Sequence, residues 1–177
     1  LDLQIAAIAF ESQDGMIVTD AHKTILRVNH AFSQISGYAP QEVIGKTPRV
    51  LRSDRHPPDF YDAIGATIQT TGMWHGELWS QRKSGEVYPE QITITAVKDG
   101  TGQVTHHVAV LRDITERKRL EQEVNQLAFF DTLTQLPNRR LFGDRLGQAL
   151  KRAQRTSSSV ALMFVDLDKF KPINDTY

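Results

Sequence analysis

The 177-residue sequence contains no cysteine. Disulfide frameworks and thiol chemistry are therefore excluded. The absence fits a reducing compartment, and a cytoplasmic location is the expectation. Neither sign of charge is in excess, with 21 Lys and Arg against 21 Asp and Glu. A balanced chain has no broad electrostatic attraction for nucleic acid or for an anionic membrane, so neither is expected as a partner. No apolar run approaches the roughly 18 residues that a membrane span requires. The opening residues also lack the basic start and long apolar stretch of a secretory signal. A longer parent protein with an anchor elsewhere stays compatible with all of this.

What the chain does have is the composition of an ordinary soluble protein: 40% hydrophobic and 24% charged residues. Its length suits one domain and a piece of a second. Residues 3 to 10 are apolar and alanine-rich and read as a lead-in helix. Met16 to Asp20 and Ile25 to Val28 read as two strands. Asn29 is a good N-cap for a helix from His30 to Ser36, which Gly37 stops. A short helix follows around Gln41 to Val43, then a polar loop from Lys46 to Pro57. Prolines open a helix from Pro58 to Thr71 and Gly72 closes it. On that helix Phe60, Ile64 and Ile68 make a stripe for burial.

Three strands come next: Trp74 to Arg82, Glu86 to Val97 and Val104 to Arg112. Turns at Lys83-Ser84-Gly85 and around Asp99-Gly100 separate them. The middle strand alternates clearly, with Tyr88, Glu90, Ile92 and Ile94 on one face. Strands and short helices in this order imply an α+β fold, one antiparallel sheet of five strands with helices on one face. A charged helix then runs from Thr115 to Phe129. Leu120, Val124 and Leu127 form a narrow seam along it, suited either to a paired helix or to the helix's own domain. Val160 to Val165 is apolar and reads as a buried strand ending at Asp166.

Several short motifs recur in a telling order. They are Asp14-Gly15-Met16-Ile17-Val18-Thr19-Asp20, Val28-Asn29-His30-Ala31-Phe32, Ile35-Ser36-Gly37-Tyr38, Trp74-His75-Gly76-Glu77, Arg82-Lys83-Ser84-Gly85-Glu86 and Asp113-Ile114-Thr115. In this order and spacing, residues 1–118 resemble a PAS domain with its PAC segment. Residues 115–130 then correspond to a signalling helix. Residues 131–177 resemble the start of a GGDEF domain, the diguanylate cyclase fold. The matching segments are Asp131-Thr132-Leu133-Thr134-Gln135-Leu136-Pro137-Asn138-Arg139-Arg140 and Asp166-Leu167-Asp168-Lys169-Phe170-Lys171-Pro172-Ile173-Asn174-Asp175.

The second resemblance implies a nucleotide site at the C-terminal end of a strand, where α/β sheets bind ligands. Asp166 and the Leu167 carbonyl would hold magnesium. Lys169, Phe170 and Lys171 would hold the phosphates of GTP, and Asn174 would read the guanine edge. The hairpin that names the family is not in this sequence. The chain is therefore expected to make no c-di-GMP by itself, whereas its parent condenses two GTP, each 3′-hydroxyl attacking the other's α-phosphate.

The PAS resemblance implies a small-molecule site between sheet and helices. Pleating turns Trp74, Leu78 and Ser80 inward, with Tyr88, Glu90, Ile92 and Ile94 beside them, then His107, Ala109 and Leu111. Asn29, Phe32, Phe60 and Ile64 complete the candidate lining. Such a wall, apolar with a few polar points, is usual for a small ligand. In light-sensing flavin domains of the family, the reactive cysteine falls at about Pro48 and the flavin-reading amides at about Ser80, Glu90 and Leu111. Cysteinyl photochemistry is thus excluded. Three occupants remain open: FAD held non-covalently, as in redox-sensing relatives; an empty cavity or a small metabolite; and haem through His56 or His75. The expected partner is a second copy, joined through the PAS part and the signalling helix, in a bacterial c-di-GMP signalling protein.

Overall fold

A computed structural model of the chain describes residues 10, 12–166 and 168. The chain divides into two compact units, Leu1–Leu120 and Glu121–Tyr177. In the first unit, strands β1 (Gly15–Asp20), β2 (Ile25–Val28), β3 (Met73–Gln81), β4 (Val87–Lys98) and β5 (Val104–Asp113) form one antiparallel sheet in the order β2-β1-β5-β4-β3. Helices α1 (His30–Ser36), α2 (Pro40–Val43) and α3 (Pro58–Thr71) lie between β2 and β3 in the chain. This is the α+β architecture that the alternation implies. The lead-in helix read at residues 3 to 10 lies outside the described residues, Phe10 apart.

Local chemistry sets the helix bounds. Asn29 caps α1 through its side chain, which accepts the Phe32 N–H. Gly37 and Gly72 end α1 and α3 in the left-handed conformation, with φ of 77° and 84°, where a side chain would strain the backbone. The polar loop after α2 is not wholly irregular: Pro48–Leu51 makes a 3-10 turn. Residues beyond it dock on β3, the edge strand. Arg52 bridges Ser80, the Ser53 hydroxyl donates to the Trp79 carbonyl at 2.6 Å, and the Trp79 N–H donates to His56 Nε2 at 2.9 Å. Arg55 lies 3.8 Å over the Trp79 ring. A strand edge that would otherwise invite foreign pairing is thereby covered.

The core lies between the sheet's inner face and the helices. Ile17, Ile25, Val28, Phe32, Val43, Leu51, Ile64, Ile68, Leu78, Ile92 and Leu111 are buried in one cluster. Gly15 has a packing reason. A Cβ there would meet Leu111 Cδ1 at 2.5 Å and the Phe32 Cα at 3.2 Å, so β1 approaches α1 closely only without a side chain.

The second unit begins inside helix α4 (Thr115–Phe129) and continues to α5 (Arg139–Thr156). The Asp131-Thr132-Leu133-Thr134 stretch is a structural turn. Asp131 Oδ1 accepts the Thr134 N–H at 2.9 Å and its hydroxyl at 2.8 Å. Asn138 caps α5 by accepting the N–H groups of Arg140 and Leu141, and donates to the Ala128 carbonyl at 2.9 Å. The strand expected over Val160 to Val165 does not form: these residues are irregular and exposed. A strand needs neighbouring backbone to pair with, and none of the described residues supplies it.

Candidate functional site

Cross-strand register assembles the inner face. Leu78 pairs with Glu90, Ser80 with Tyr88, Trp74 with Ile94, and Ile92 with Leu111. The pleat then turns one row from each strand toward the helices. Leu78, Ser80, Tyr88, Glu90, Ile92 and Leu111 are all buried. Phe32 and Ile64 face them from α1 and α3, and Phe60 and Trp74 pack half-buried at one side. The Phe60 and Trp74 rings meet edge to face at 6.4 Å, and the Trp74 indole lies over Gly76.

One ionisable group breaks this apolar wall. Glu90 is 2% exposed. The Ser80 hydroxyl donates to its Oε1 at 2.8 Å and the Tyr88 hydroxyl to its Oε2 at 3.0 Å. Burial drives its pKa above the ordinary carboxylate value, and the two hydroxyl bonds only partly offset this. Burial, with the nearby Glu90 charge second, raises the Tyr88 phenol as well. Across from the sheet stands Tyr61 of α3. Its hydroxyl is buried beside the Ser53 backbone, and burial pushes its pKa up.

Asn29 does not belong with this group in role. Its Oδ1 accepts from Met16 N–H at 2.8 Å and Phe32 N–H at 2.9 Å, and its Nδ2 donates to Phe10 O at 2.8 Å and Asp14 O at 2.9 Å. Every hydrogen-bonding position of the amide is used within the fold. Haem ligation fares no better. His75 is exposed on the outer face, where its Nδ1 bonds to Thr93 Oγ1 at 2.8 Å. His56 spends Nε2 on the Trp79 N–H and stacks on Phe60 at 4.1 Å. Both rings are held by protein groups rather than aimed at the inner face.

Beyond the pocket wall, a second cluster joins sheet to helix. Arg82 reaches the Ile35 carbonyl, Glu86 Oε2 at 3.1 Å and Asp113 Oδ2 at 2.5 Å. Its guanidinium also sits 3.9 Å over the Tyr88 ring. Asp113 Oδ1 accepts the Thr115 N–H at 2.8 Å, which caps α4. Burial works against the Asp113 charge, but the bonds from Arg82 and Thr115 win and hold the carboxyl below its ordinary pKa. Ile114, 3% exposed, donates its N–H to the Pro89 carbonyl at 3.1 Å. Glu77 of β3 pairs with Arg117 and with Lys118 Nζ, the latter at 2.8 Å. Arg82 carries no sequence signal of this role beyond its place before the Lys83-Ser84-Gly85 turn. Tyr61 does carry one: it stands three residues before Ile64 on the buried stripe.

Asp166 and Asp168 are exposed. Leu167, Lys169, Phe170, Lys171 and Asn174 lie outside the described residues. Among the described residues no group of three His, Cys, Asp or Glu side chains is placed to hold a metal, and no helix is long and apolar enough to cross a membrane.

Comparison with known proteins agrees with this architecture. A family model described as PAS domain matches residues 13–116, and one described as diguanylate cyclase, GGDEF domain matches residues 128–177. A nitrogen fixation regulatory protein of Klebsiella oxytoca is 34% identical over 107 residues, 60% of this chain and 22% of that protein. A probable diguanylate cyclase of Escherichia coli, DgcE, is 34% identical over 167 residues, 92% of this chain and 15% of that protein. The chain thus spans less than a quarter of these relatives' lengths. Among solved structures, an RNA-binding light-oxygen-voltage receptor superposes with a TM-score of 0.64 at 27% identity, over 72% of this chain and 37% of that one.

Proposed function

Because the chain belongs to the PAS domain family through residues 13–116 and carries the start of a diguanylate cyclase GGDEF domain at 128–177, we propose that it senses a small ligand and controls c-di-GMP synthesis from GTP. The ligand lies against the inner face, around Glu90. The observation that carries this reading is a buried carboxyl bonded by two hydroxyls in an otherwise apolar wall. That donor and acceptor set fits the imide edge of a flavin, and non-covalent FAD is the ligand proposed. Ser80, Tyr88 and Glu90 would hold the polar edge, with Trp74, Phe60, Ile92 and Leu111 against the ring. A flavin would supply redox chemistry. These residues would orient it, exclude water and hold a proton at the Glu90 carboxyl.

Output passes through α4. Leu120, Val124 and Leu127 are 47%, 64% and 61% exposed, an apolar seam among charges that supports pairing with a second copy. In the complete enzyme, Asp166 and the Leu167 carbonyl bind magnesium, Lys169, Phe170 and Lys171 bind GTP phosphates, and Asn174 reads guanine. Paired helices would then bring two such sites together or hold them apart.

The test of the sensor is visible absorption of the purified chain before and after incubation with FAD. A retained yellow complex is expected, with its spectrum altered in E90Q. A colourless chain that takes up no FAD would overturn the flavin assignment. It would favour a second reading, supported by Phe32 and Leu111 at 0% exposure: a pocket packed shut in a module that only dimerises. The output is tested by inserting one residue after Leu120 in the full-length protein. This rotates everything downstream by about 100°, and an unchanged rate of c-di-GMP formation would count against transmission through the helix.

A further inference from the structure

The Glu90 carboxyl and the first turn of α4 are linked by an unbroken series of contacts. The Tyr88 hydroxyl donates to Glu90 Oε2 at 3.0 Å. The face of the same ring carries the Arg82 guanidinium at 3.9 Å. Arg82 Nη2 donates to Asp113 Oδ2 at 2.5 Å, and Asp113 Oδ1 accepts the Thr115 N–H at 2.8 Å. The series arises from register. Tyr88 and Glu90 stand two apart on one face of β4, and Arg82 continues the inward row of Ser80 just past the end of β3. We propose that Arg82 is a positioning residue that relays the hydrogen-bonding state of Glu90, through Tyr88, to the capped N-terminus of α4. The proposal deepens the sensing role given to the pocket and rests on that reading.

The physical step is a change of donor. An ionised Glu90 accepts from both Ser80 and Tyr88. The Tyr88 hydroxyl is then fixed, its ring is held in place, and the electron-rich face stays under Arg82. A protonated Glu90, or one that has turned to a ligand, has an oxygen that donates instead of accepting. Where that oxygen is Oε2, the Tyr88 hydroxyl must turn to accept instead of donating, and the ring shifts beneath Arg82. Arg82 then keeps only its fork to Asp113, Glu86 and the Ile35 carbonyl, and a shift of that fork moves the carboxylate that caps Thr115. The charged and titratable groups that act on Glu90 come from every neighbouring element: Tyr61 from α3, Tyr88 from β4, Arg82 after β3 and Asp113 from β5. Of these, Asp113 stays ionised above about pH 5 because its pKa lies below the usual carboxylate range. Above that pH, the carboxyl left to change state in the series is Glu90.

The experiment is hydrogen–deuterium exchange on the 177-residue chain from about pH 5 to pH 9, corrected for intrinsic rates. Protection of amides 115–118 is read against that of β1. In the wild-type chain this ratio is expected to change about tenfold as Glu90 titrates. E90Q removes the titration, and Y88F keeps the ring under Arg82 but removes the hydroxyl. Both are expected to flatten the pH profile while β1 stays protected. R82K, which keeps charge but loses the fork, is expected to lower protection at 115–118 at every pH. A flat wild-type profile overturns the proposal, and so does a full pH response in E90Q or Y88F. If R82K unfolds the sheet, E90Q and Y88F still decide the matter. No ligand and no cyclase activity enter these measurements. A chain that binds no FAD can therefore still pass, and one that binds FAD can still fail.

Discussion

Asn29→Ala tests whether a residue in the pocket-forming half of the fold acts on stability rather than on ligand. The Asn29 side chain is 1% exposed and makes four hydrogen bonds. Alanine leaves four backbone groups behind. Phe10 and Asp14 are only half-buried, so water can reach their carbonyls and those losses are small. The Phe32 N–H, at the start of α1, loses its cap, worth about 1 kcal/mol. The Met16 N–H, on a half-buried residue inside β1, also loses its partner, at the lower end of a cost of about 1–3 kcal/mol. The vacated amide volume adds to this, and the sum is about 3 kcal/mol. For a domain of this size each kcal/mol shifts the melting temperature by about 4–8 °C, so a fall of about 15 °C is expected. Thermal unfolding followed by circular dichroism, with urea titration for the free energy, measures it. A loss below about 1 kcal/mol would refute the hydrogen-bond accounting. A normal melting temperature with altered ligand binding would return Asn29 to the pocket.

Other perturbations probe the inner face and the joint. In Gly76→Ala the new Cβ would stand 2.6 Å from Trp74 Cζ2 and 2.8 Å from Cη2, so the indole must swing away from Gly76. In a Trp79→Phe background the emission maximum should shift, with a destabilisation of about 1–3 kcal/mol; unchanged emission would sink this. The Glu90 pKa is raised by burial, so its contribution to stability is fully present below the unfolded value of about 4.3. That contribution is lost as pH rises through the folded value. Wild type should therefore lose ground to E90Q as pH rises above that unfolded value, read by urea unfolding at each pH, and a pH-independent difference would contradict it. Glu77→Gln removes the pairs to Arg117 and Lys118. Because these groups are exposed, global stability should move by less than about 1 kcal/mol. Exchange at the first turn of α4 should rise, and a larger global loss would mean the pairs act as more than surface contacts.

The parts of the fold that the sequence foretells are those governed by nearest neighbours. Asn29 before α1, Gly37 and Gly72 after α1 and α3, and the prolines that open α3 act within one turn of their own position. The inward set Trp74, Leu78, Ser80, Tyr88, Glu90, Ile92 and Leu111 is legible because one tight turn fixes the register of β3 on β4, and the period of two does the rest. Docking of Arg52 on Ser80, and of Ser53 and His56 on Trp79, is not legible, since it depends on contacts 23 to 28 residues away with no periodicity. Arg82 hides for the same reason: its partners lie at Ile35, Tyr88 and Asp113. No motif announces α5 either, although Asn138 is as clear a cap as Asn29. Val160 to Val165 errs in the other direction. Hydropathy states what a segment would bury if partners were present, and the described residues include none beside it.

A wall that follows the hydrophobic pattern at nearly every position and breaks it at one calls for a reason at that position. Leucine at Glu90 would lower the cost of burial and leave only two hydroxyls, Ser80 and Tyr88, to be satisfied. The carboxyl instead has no cation bonded to it: Arg82 is committed to Asp113, Glu86 and a carbonyl, and meets Glu90 only through the Tyr88 ring. An ion pair held for stability would bring the guanidinium into contact with the carboxylate and satisfy it there. With no cation in contact, burial favours the neutral form of Glu90 and raises its pKa. A buried carboxyl bonded by two hydroxyls and by no cation, in an otherwise hydrophobic wall, is the one place where the inner face departs from its pattern.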